Sequence, residues 1–276
     1  MLMIMCMVDI KLESQLGKES IYIDQYNSDL LFPIPRAEKR KEIGISDKPP
    51  FFGCDVWNAY ELSWLRNDGR PEVATAEIIY PCESEFIVES KSLKLYLNSF
   101  NSTFFQSHAH VLDTIKRDLS VVLRSEVEVI INNLDKKVSY MMPPGINIDN
   151  FYDKDNGTSQ LMILKGVHVE KEQLFTNLLK SNCPVTMQPD WATLMIAYTG
   201  QKIDYTSLLN YVIALRNLNE FHEQCVEKIY VDIHKACKPE YLRVYARYTR
   251  RGGIDINPYR CSEKLLSLEN YRVCRQ

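Results

Sequence analysis

A cysteine followed by proline, Cys183-Pro184, stands seven residues before an aspartate set between a proline and a tryptophan, Pro189-Asp190-Trp191. Prolines on both sides forbid a regular helix, so the segment reads as a shaped loop leading into a buried strand. A thiol and a carboxyl held by a rigid loop at the end of a core strand are placed for covalent and acid/base chemistry. The same spacing also suits a small buried hydrophobe and a turn acceptor, and spacing alone leaves both readings open.

Three further sets are candidates. Glu89 precedes Ser90-Lys91-Ser92-Leu93-Lys94-Leu95-Tyr96, whose apolar members share a helical face. The carboxylate, hydroxyls and Lys91 are left at the N-terminal end, fitted either to capping by Ser90 or to a polar ligand edge and a cofactor phosphate. His222 and Glu223 fall in the first turn of another helix, as a surface residue and a macrodipole partner, or with Glu223 accepting the paired N–H edge of a guanine-like ring. Arg250-Arg251-Gly252-Gly253 is a solvated turn or a nucleotide phosphate clamp. His222, Cys225, His234 and Cys237 are metal-ligand types, but at roughly 100° per residue they spread over about 180° of one helix, too wide for one ion. His108 and His110 point apart in the same way, so no metal is expected.

The elements that position these residues repeat along the chain. In the second half, Trp191 to Tyr198 reads as a buried strand. Leu208, Tyr211, Val212, Leu215 and Leu218 mark a helix, and Phe221 to Ile233 mark a second, with Asn219 as the expected N-cap between them. Tyr241 to Thr249 alternates as a strand with a basic, aromatic face carrying Arg243 and Arg247, and Ile254 to Tyr259 returns as its hairpin partner. In the first half, strand-like runs flank the turn Asn67-Asp68-Gly69. Two helical faces follow, Leu93 to Phe100 and Phe104 to Leu119, then a strand from Val127 to Ile131. Aligning Trp57 with Trp191 and Asn101 with Asn219 gives a diverged tandem duplication. Each half is then an antiparallel sheet with two helices on one face, an α+β unit whose open sheet edges call for pairing between halves or chains. The first half offers no visible counterpart to Cys183 and Asp190, and the second has Asp204-Tyr205-Thr206 where Glu89-Ser90-Lys91 would be.

Composition bounds the function. The 276 residues suffice for about two domains. With 45% hydrophobic and 25% charged residues the chain is of ordinary globular composition, and no run approaches the roughly 18 apolar residues of a membrane span. Thirty-three Lys and Arg against 36 Asp and Glu give a net charge of −3, so the overall field does not hold a polyanion. Eight scattered cysteines without a CxxC pair, and an apolar start lacking signal-peptide features, suggest reduced thiols in the cytoplasm. None of the ten glycines forms a Rossmann or P-loop phosphate cradle, so a nucleotide cofactor must be held by Lys, Arg and helix starts.

Together the quoted segments resemble the 7-cyano-7-deazaguanine reductases, the QueF-type nitrile reductases of queuosine biosynthesis, in their longer two-module form. The family signature of Glu, Ser or Leu, Lys, Ser or Ala, a hydrophobe, Lys, then Leu or Tyr and an aromatic is matched by Glu89 to Tyr96. Cys183 with Gln188 to Trp191, Asn219 to Cys225, and Tyr245 to Pro258 extend the likeness over roughly residues 45 to 260, while Pro184 and Met187 depart from the family's form. The resemblance implies two tandem T-fold (ββααββ) modules, residues 20–165 and 166–276, with antiparallel sheets and helices on one face. It implies NADPH-dependent reduction of the nitrile of 7-cyano-7-deazaguanine to 7-aminomethyl-7-deazaguanine, using two NADPH and a thioimide on Cys183. In that chemistry Asp190 supplies a proton and His222 assists catalysis. Val88, Glu89, Ser90, His222 and Glu223 bind the substrate, and Ser90, Lys91, Arg251 and Gly252 the NADPH. A cytoplasmic homodimer with no direct nucleic-acid or membrane partner is the expectation. Two alternatives compete: a cyclohydrolase-like purine or pterin enzyme, whose usual metal-activated water lacks converging ligands here, and a non-catalytic deazapurine-binding module, which has no need of a paired thiol and acid.

Overall fold

The computed structural model describes residues 22–46, 48–138, 140–154, 158–264 and 268–276, and these form two compact units. The first takes in the described part of Met1–Lys39 with Val56–Lys137 and Arg250–Asp255; the second takes in Arg40–Asp55, Val138–Thr249 and Ile256–Gln276. The chain is α+β throughout, with helices between strands. Among the described residues no helix is long and apolar enough to cross a membrane.

In the first unit, β2 (Phe52–Leu65) and β3 (Pro71–Pro81) meet at the Asn67 to Gly69 turn, where Gly69 takes φ +80, and β5 (Glu128–Asn132) pairs antiparallel with β3. A short ladder joins β1 (Pro33–Pro35) to β4 (Phe86–Val88). Ala74, Ala76, Ile78 and Tyr80 of β3 are buried, the period of two expected of a sheet with one covered face. The helices are α2 (Ser90–Asn98) and α3 (His108–Leu123). Ser107 caps α3 by accepting from His110 N, and the buried stripe Val111, Ile115, Leu119 gives the face that packs. The α3 periodicity was expected to begin at Phe104, but that ring is exposed and its residue forms an isolated bridge with Leu65.

In the second unit the order is strand, strand, helix, helix, strand, strand. β7 (Ile163–Asn182) and β8 (Pro189–Ile203) form a long antiparallel hairpin; α4 (Tyr205–Ala214) and α5 (His222–Cys237) follow; β9 (Tyr241–Tyr248) and β10 (Ile254–Cys261), whose first residues belong to the first unit, come last and pair antiparallel. β9 pairs with β8 from Ala192↔Tyr248 to Thr199↔Tyr241, and β6 (Ile146–Asn147) adds a parallel edge to β7. α1 (Arg36–Glu42) completes the helices. Gly53, at φ +149, is required by close approach: a Cβ there would lie 2.0 Å from the Tyr259 carbonyl oxygen.

Several local expectations need correction. Asn219 is not the N-cap of α5: Phe221 holds that position without a side-chain cap, and Asn219 instead accepts from Asn182 Nδ2 at 3.2 Å. Trp57 lies on the first strand of its hairpin and Trp191 on the second, so the two are not counterparts. The basic, aromatic face of β9 is largely a core surface. Tyr245 and Arg247 are buried, and Arg247 donates to Tyr245, Asn270 and Gln276, so the chain's last described residues cover that face.

Candidate active site

Each unit carries part of the expected set. In the second, β7 ends at Asn182 and β8 begins at its register partner Pro189, leaving Cys183 to Gln188 as the loop. Cys183 N donates to Gln188 O at 2.9 Å and Met187 N to Cys183 O at 3.0 Å, which closes the loop on itself and holds Met187 at φ +58. Cys183 is a buried free thiol. Asp190, opposite Ser181 in the ladder, is buried at the start of β8.

The segment before α5 is stitched to the same strand end. Asn182 N donates to Leu218 O at 2.8 Å and Glu220 N to Asn182 O at 3.1 Å. This brings the first turn of α5 to the hairpin loop. His222 Nε2 lies 3.8 Å from Asp190 Oδ1, within ion-pair reach when the imidazole is protonated, and Tyr248 meets the imidazole edge-on at a centroid distance of 4.1 Å. Glu223 is buried beside it, where the positive end of the helix favours a carboxylate. Cys183, Asp190, His222 and Glu223 therefore belong to one end of one unit.

Two supporting residues escaped the sequence reading. Cys225, one turn along α5, is fully buried, and burial pushes its thiol up to about 11 while the Tyr248 and Ser181 hydroxyls draw it down only in part. It stays an S–H at neutral pH. Burial likewise holds the Tyr248 phenol well above its ordinary value. In the sequence Cys225 stood out only as a metal-ligand type and both residues as members of longer matched segments on apolar faces, which points to packing rather than to a role beside Asp190.

In the first unit Glu89 itself caps α2: Oε1 accepts from Lys91 N and Oε2 from Ser92 N, each at 2.8 Å. Ser90 was the expected cap; the longer glutamate reaches both amides, while Ser90 Oγ lies 3.5 Å from Glu89 Oε1. Burial raises the Glu89 carboxyl above its ordinary value, against the lowering effect of those amides. Val88, the last residue of β4, is buried directly before it.

Arg251 and Gly252 sit at the β9–β10 turn within this same unit. A Cβ on Gly252 would lie 2.7 Å from Lys94 Nζ, and one on Gly253 2.4 Å from the Glu61 carboxyl carbon, so the turn is seated against α2 and β2. Arg250 lies over the Tyr60 ring at 3.9 Å. Lys91, Lys94, Arg250 and Arg251 thus concentrate positive charge at this helix and turn. Lys94 was not singled out beforehand, although the Glu89 to Tyr96 motif contains it. Among the described residues no group of three or more His, Cys, Asp or Glu is gathered to hold a metal ion.

The fold and these two sets define a class: an α+β protein with a thiol, acid and imidazole on one unit and a buried carboxylate beside clustered cations on the other. The sequence family described as "Nitrile reductase, 7-cyano-7-deazaguanine-reductase N-term" matches residues 22–131, and that described as "QueF-like protein" matches residues 189–266. The chain is 50% identical over 270 residues to the "NADPH-dependent 7-cyano-7-deazaguanine reductase" of Paraburkholderia xenovorans (strain LB400), covering 96% of this chain and 98% of that protein. Identity to the protein of the same description from Polaromonas sp. (strain JS666 / ATCC BAA-500) is 49% over 271 residues, covering 95% and 98%. The chain belongs to the NADPH-dependent 7-cyano-7-deazaguanine reductase family.

Proposed function

We propose that Cys183, Asp190 and His222 carry the reaction and that Val88, Glu89, Ser90, His222 and Glu223 hold its substrate. The chain is an NADPH-dependent oxidoreductase that reduces the nitrile of 7-cyano-7-deazaguanine in queuosine biosynthesis. The observation that carries the residue assignment is the hairpin loop that fixes a buried thiol and a buried carboxyl beside the first turn of α5.

The chemistry follows from what each group can do. A nitrile carbon is electrophilic; Cys183 Sγ adds to it, one C–N π bond breaks, and the nitrogen takes a proton from Asp190 to give a thioimide. A free thiol has a pKa near 8.5, so roughly a few per cent is thiolate at pH 7, and the departing proton needs an acceptor. His222 takes that role, its imidazolium paired with Asp190 while the carboxyl is ionised. Cys225 does not compete as nucleophile, since its thiol stays protonated.

Lys91, Lys94, Arg250 and Arg251, with the bare backbone of Gly252, are a donor set suited to phosphate groups and fit the cofactor, so Ser90, Lys91, Arg251 and Gly252 would hold it. When bound, NADPH supplies the hydride for each of the two reductions from nitrile to amine. The finer organisation proposed is two T-fold modules, residues 20–165 and 166–276, acting as a homodimer in the cytoplasm.

Glu89 and Glu223 each offer two carboxylate oxygens to the ring's N–H edge. Both Glu89 oxygens already accept one amide, and each retains capacity for another bond. Because burial raises the Glu89 carboxyl, it protonates as pH falls before an ordinary glutamate would, and the protonated form loses acceptor capacity. The KM for the heterocycle is therefore expected to rise on acidification, starting above the ordinary glutamate range. Glu89→Gln removes that limb and weakens binding roughly tenfold to a hundredfold, the worth of a charge-assisted hydrogen bond. A pH profile of KM for both proteins checks it.

The covalent step is tested by intact mass after mixing the protein with 7-cyano-7-deazaguanine in the absence of NADPH. One substrate should add per reactive site, Cys183→Ala should show no adduct, and Asp190→Asn should form it slowly. An adduct that persists in Cys183→Ala overturns the assignment.

A further inference from the structure

The hairpin that carries Cys183 and Asp190 is interrupted just short of them. Between β7 and β8 the ladder runs Leu174↔Ile196, Phe175↔Met195, Thr176↔Leu194, then resumes at Leu179↔Ala192, Lys180↔Trp191, Ser181↔Asp190, Asn182↔Pro189. Asn177 and Leu178 therefore stand opposite the single residue Thr193, which is a β-bulge. Residues opposed in an antiparallel ladder share a face, and one extra residue reverses which members of its strand do so. The face shared with Asp190, Ala192, Leu194 and Ile196 thus passes from Leu174 and Thr176 to Leu179 and Ser181. Cys183 N donates to Gln188 O, which continues the same register and puts Cys183 on the face of Asp190. Without the extra residue, Ser181 and Cys183 would turn to the opposite face from Asp190.

A bulge leaves backbone groups without ladder partners, and here two charged side chains from outside the hairpin take them up. Asp149, in the short helical turn Asp149–Phe151 that follows β6, accepts from Asn177 N at 3.1 Å, from Asn177 Nδ2 at 3.2 Å and from Thr176 Oγ1 at 2.6 Å. Arg275 Nη2 donates to Asn177 O at 3.0 Å and to Ala192 O at 2.8 Å, one carbonyl on each strand, and to Thr193 Oγ1 at 3.3 Å. Each of the two is held in turn. Ile148 N donates to Phe175 O at 2.9 Å and Asp149 N to Asn147 Oδ1 at 2.8 Å. Gln276, beside Arg275, donates to Tyr248 O at 3.0 Å and accepts from Arg247 Nε at 2.8 Å. Bonds in which one partner is ionised are stronger than neutral ones, so the carboxylate and the guanidinium fix where the extra residue sits. We propose that Arg275 and Asp149 are positioning residues for the reaction: by holding the bulge at Asn177 they keep the Cys183 thiol on the side of the sheet where Asp190 and His222 lie. They act through the register of the hairpin and not on the substrate. This rests on the reading of Cys183 and Asp190 as the reacting pair.

The experiment mixes the native chain and Arg275→Ala with 7-cyano-7-deazaguanine in the absence of NADPH, at a temperature where circular dichroism shows both folded, and reads the rate of adduct formation by quenched intact mass. Arg275→Ala should form the adduct roughly tenfold to a hundredfold more slowly, the scale of a reacting group misplaced by about 1 Å. Equilibrium affinity for the substrate, compared with Cys183→Ala present in both proteins, should change by only a few-fold. Tyr205→Phe removes a hydrogen bond to Glu172, on the far side of the bulge from Cys183, and should react at the native rate. A merely structural tie would lower the melting temperature and leave the folded variant's adduct rate alone. Arg275→Ala reacting at the native rate, slowing no more than Tyr205→Phe, or losing affinity as far as rate, overturns the proposal. Should Arg275→Ala not fold, Asp149→Asn loosens the same bulge at Asn177 N and is judged by the same two measurements. A native chain that forms no adduct overturns the catalytic reading instead, and hydrogen exchange then decides the bulge. The amides of Lys180 to Cys183 should exchange roughly tenfold faster in the variants while those of Gln173 to Phe175 do not change, and unaltered exchange in both segments overturns the positioning role.

Discussion

Cys183→Ala should oxidise NADPH in the presence of 7-cyano-7-deazaguanine slower than the native chain by on the order of four decades or more, the scale seen when a covalent nucleophile is removed from an enzyme that keeps its other parts. The alanine leaves Asp190, His222 and both ring-binding carboxylates in place, so the equilibrium affinity for the substrate should change by only a few-fold. That split separates a reacting group from a structural one. A buried thiol that merely filled space would show the reverse pattern, since truncation would loosen the loop and weaken binding along with turnover. The loop is built to survive the change: its closure uses the backbone of Cys183, Met187 and Gln188, and none of those bonds involves the sulfur. Cys183→Ser offers a second reading of the same step, because a hydroxyl has a much higher pKa than a thiol and attacks a nitrile far less readily. Single-turnover absorbance of NADPH, with a separate binding isotherm, measures both quantities. Turnover by Cys183→Ala within tenfold of the native chain would remove the thioimide from the mechanism.

Much of this arrangement was legible in the sequence where local chemistry and local structure coincide. The α5 stripe of Cys225, Ile229 and Ile233 and the alternation of β9 reported helix and strand because one face of each is buried. The Glu89 motif marked a helix start because capping is a short-range interaction. Tertiary effects were not legible. β7 went unread because its first half is largely exposed and broken by register shifts around Leu164 to Glu172, which erase the period of two. Arg247 looked like a surface cation, yet Asn270 and Gln276 bury it, and no local pattern announces a partner more than twenty residues away.

Replacing Glu227 by glutamine should cost about 3–5 kcal/mol of stability, the penalty for stripping a buried charge from its partners. Glu227 lies in α5, five residues after His222, and both of its oxygens are used. Its Oε1 accepts from Arg40 Nη2 at 2.7 Å and from Arg260 Nη2 at 2.9 Å, and its Oε2 accepts from Arg40 Nε at 2.9 Å. Arg260 is fully buried and has a second carboxylate partner, Asp55, at 2.8 Å. With Glu227 neutral, Arg40 and Arg260 both lose a charged acceptor in a largely buried region, and neither arginine can shed its proton. The matched control is Lys228→Ala, which breaks the partly exposed i, i+4 pair with Asp232 and should cost no more than about 0.5 kcal/mol. Thermal melts of the two variants should therefore differ by on the order of 10 °C, given roughly 2–4 °C per kcal/mol for domains of this size. Added salt should do little to close the gap, because a buried network is screened far less than a surface pair. Equal melting temperatures would mean that the network is already paid for by its desolvation. His222 and Glu223 would then owe their placement to the apolar stripe of α5 and the Asn182 bonds alone.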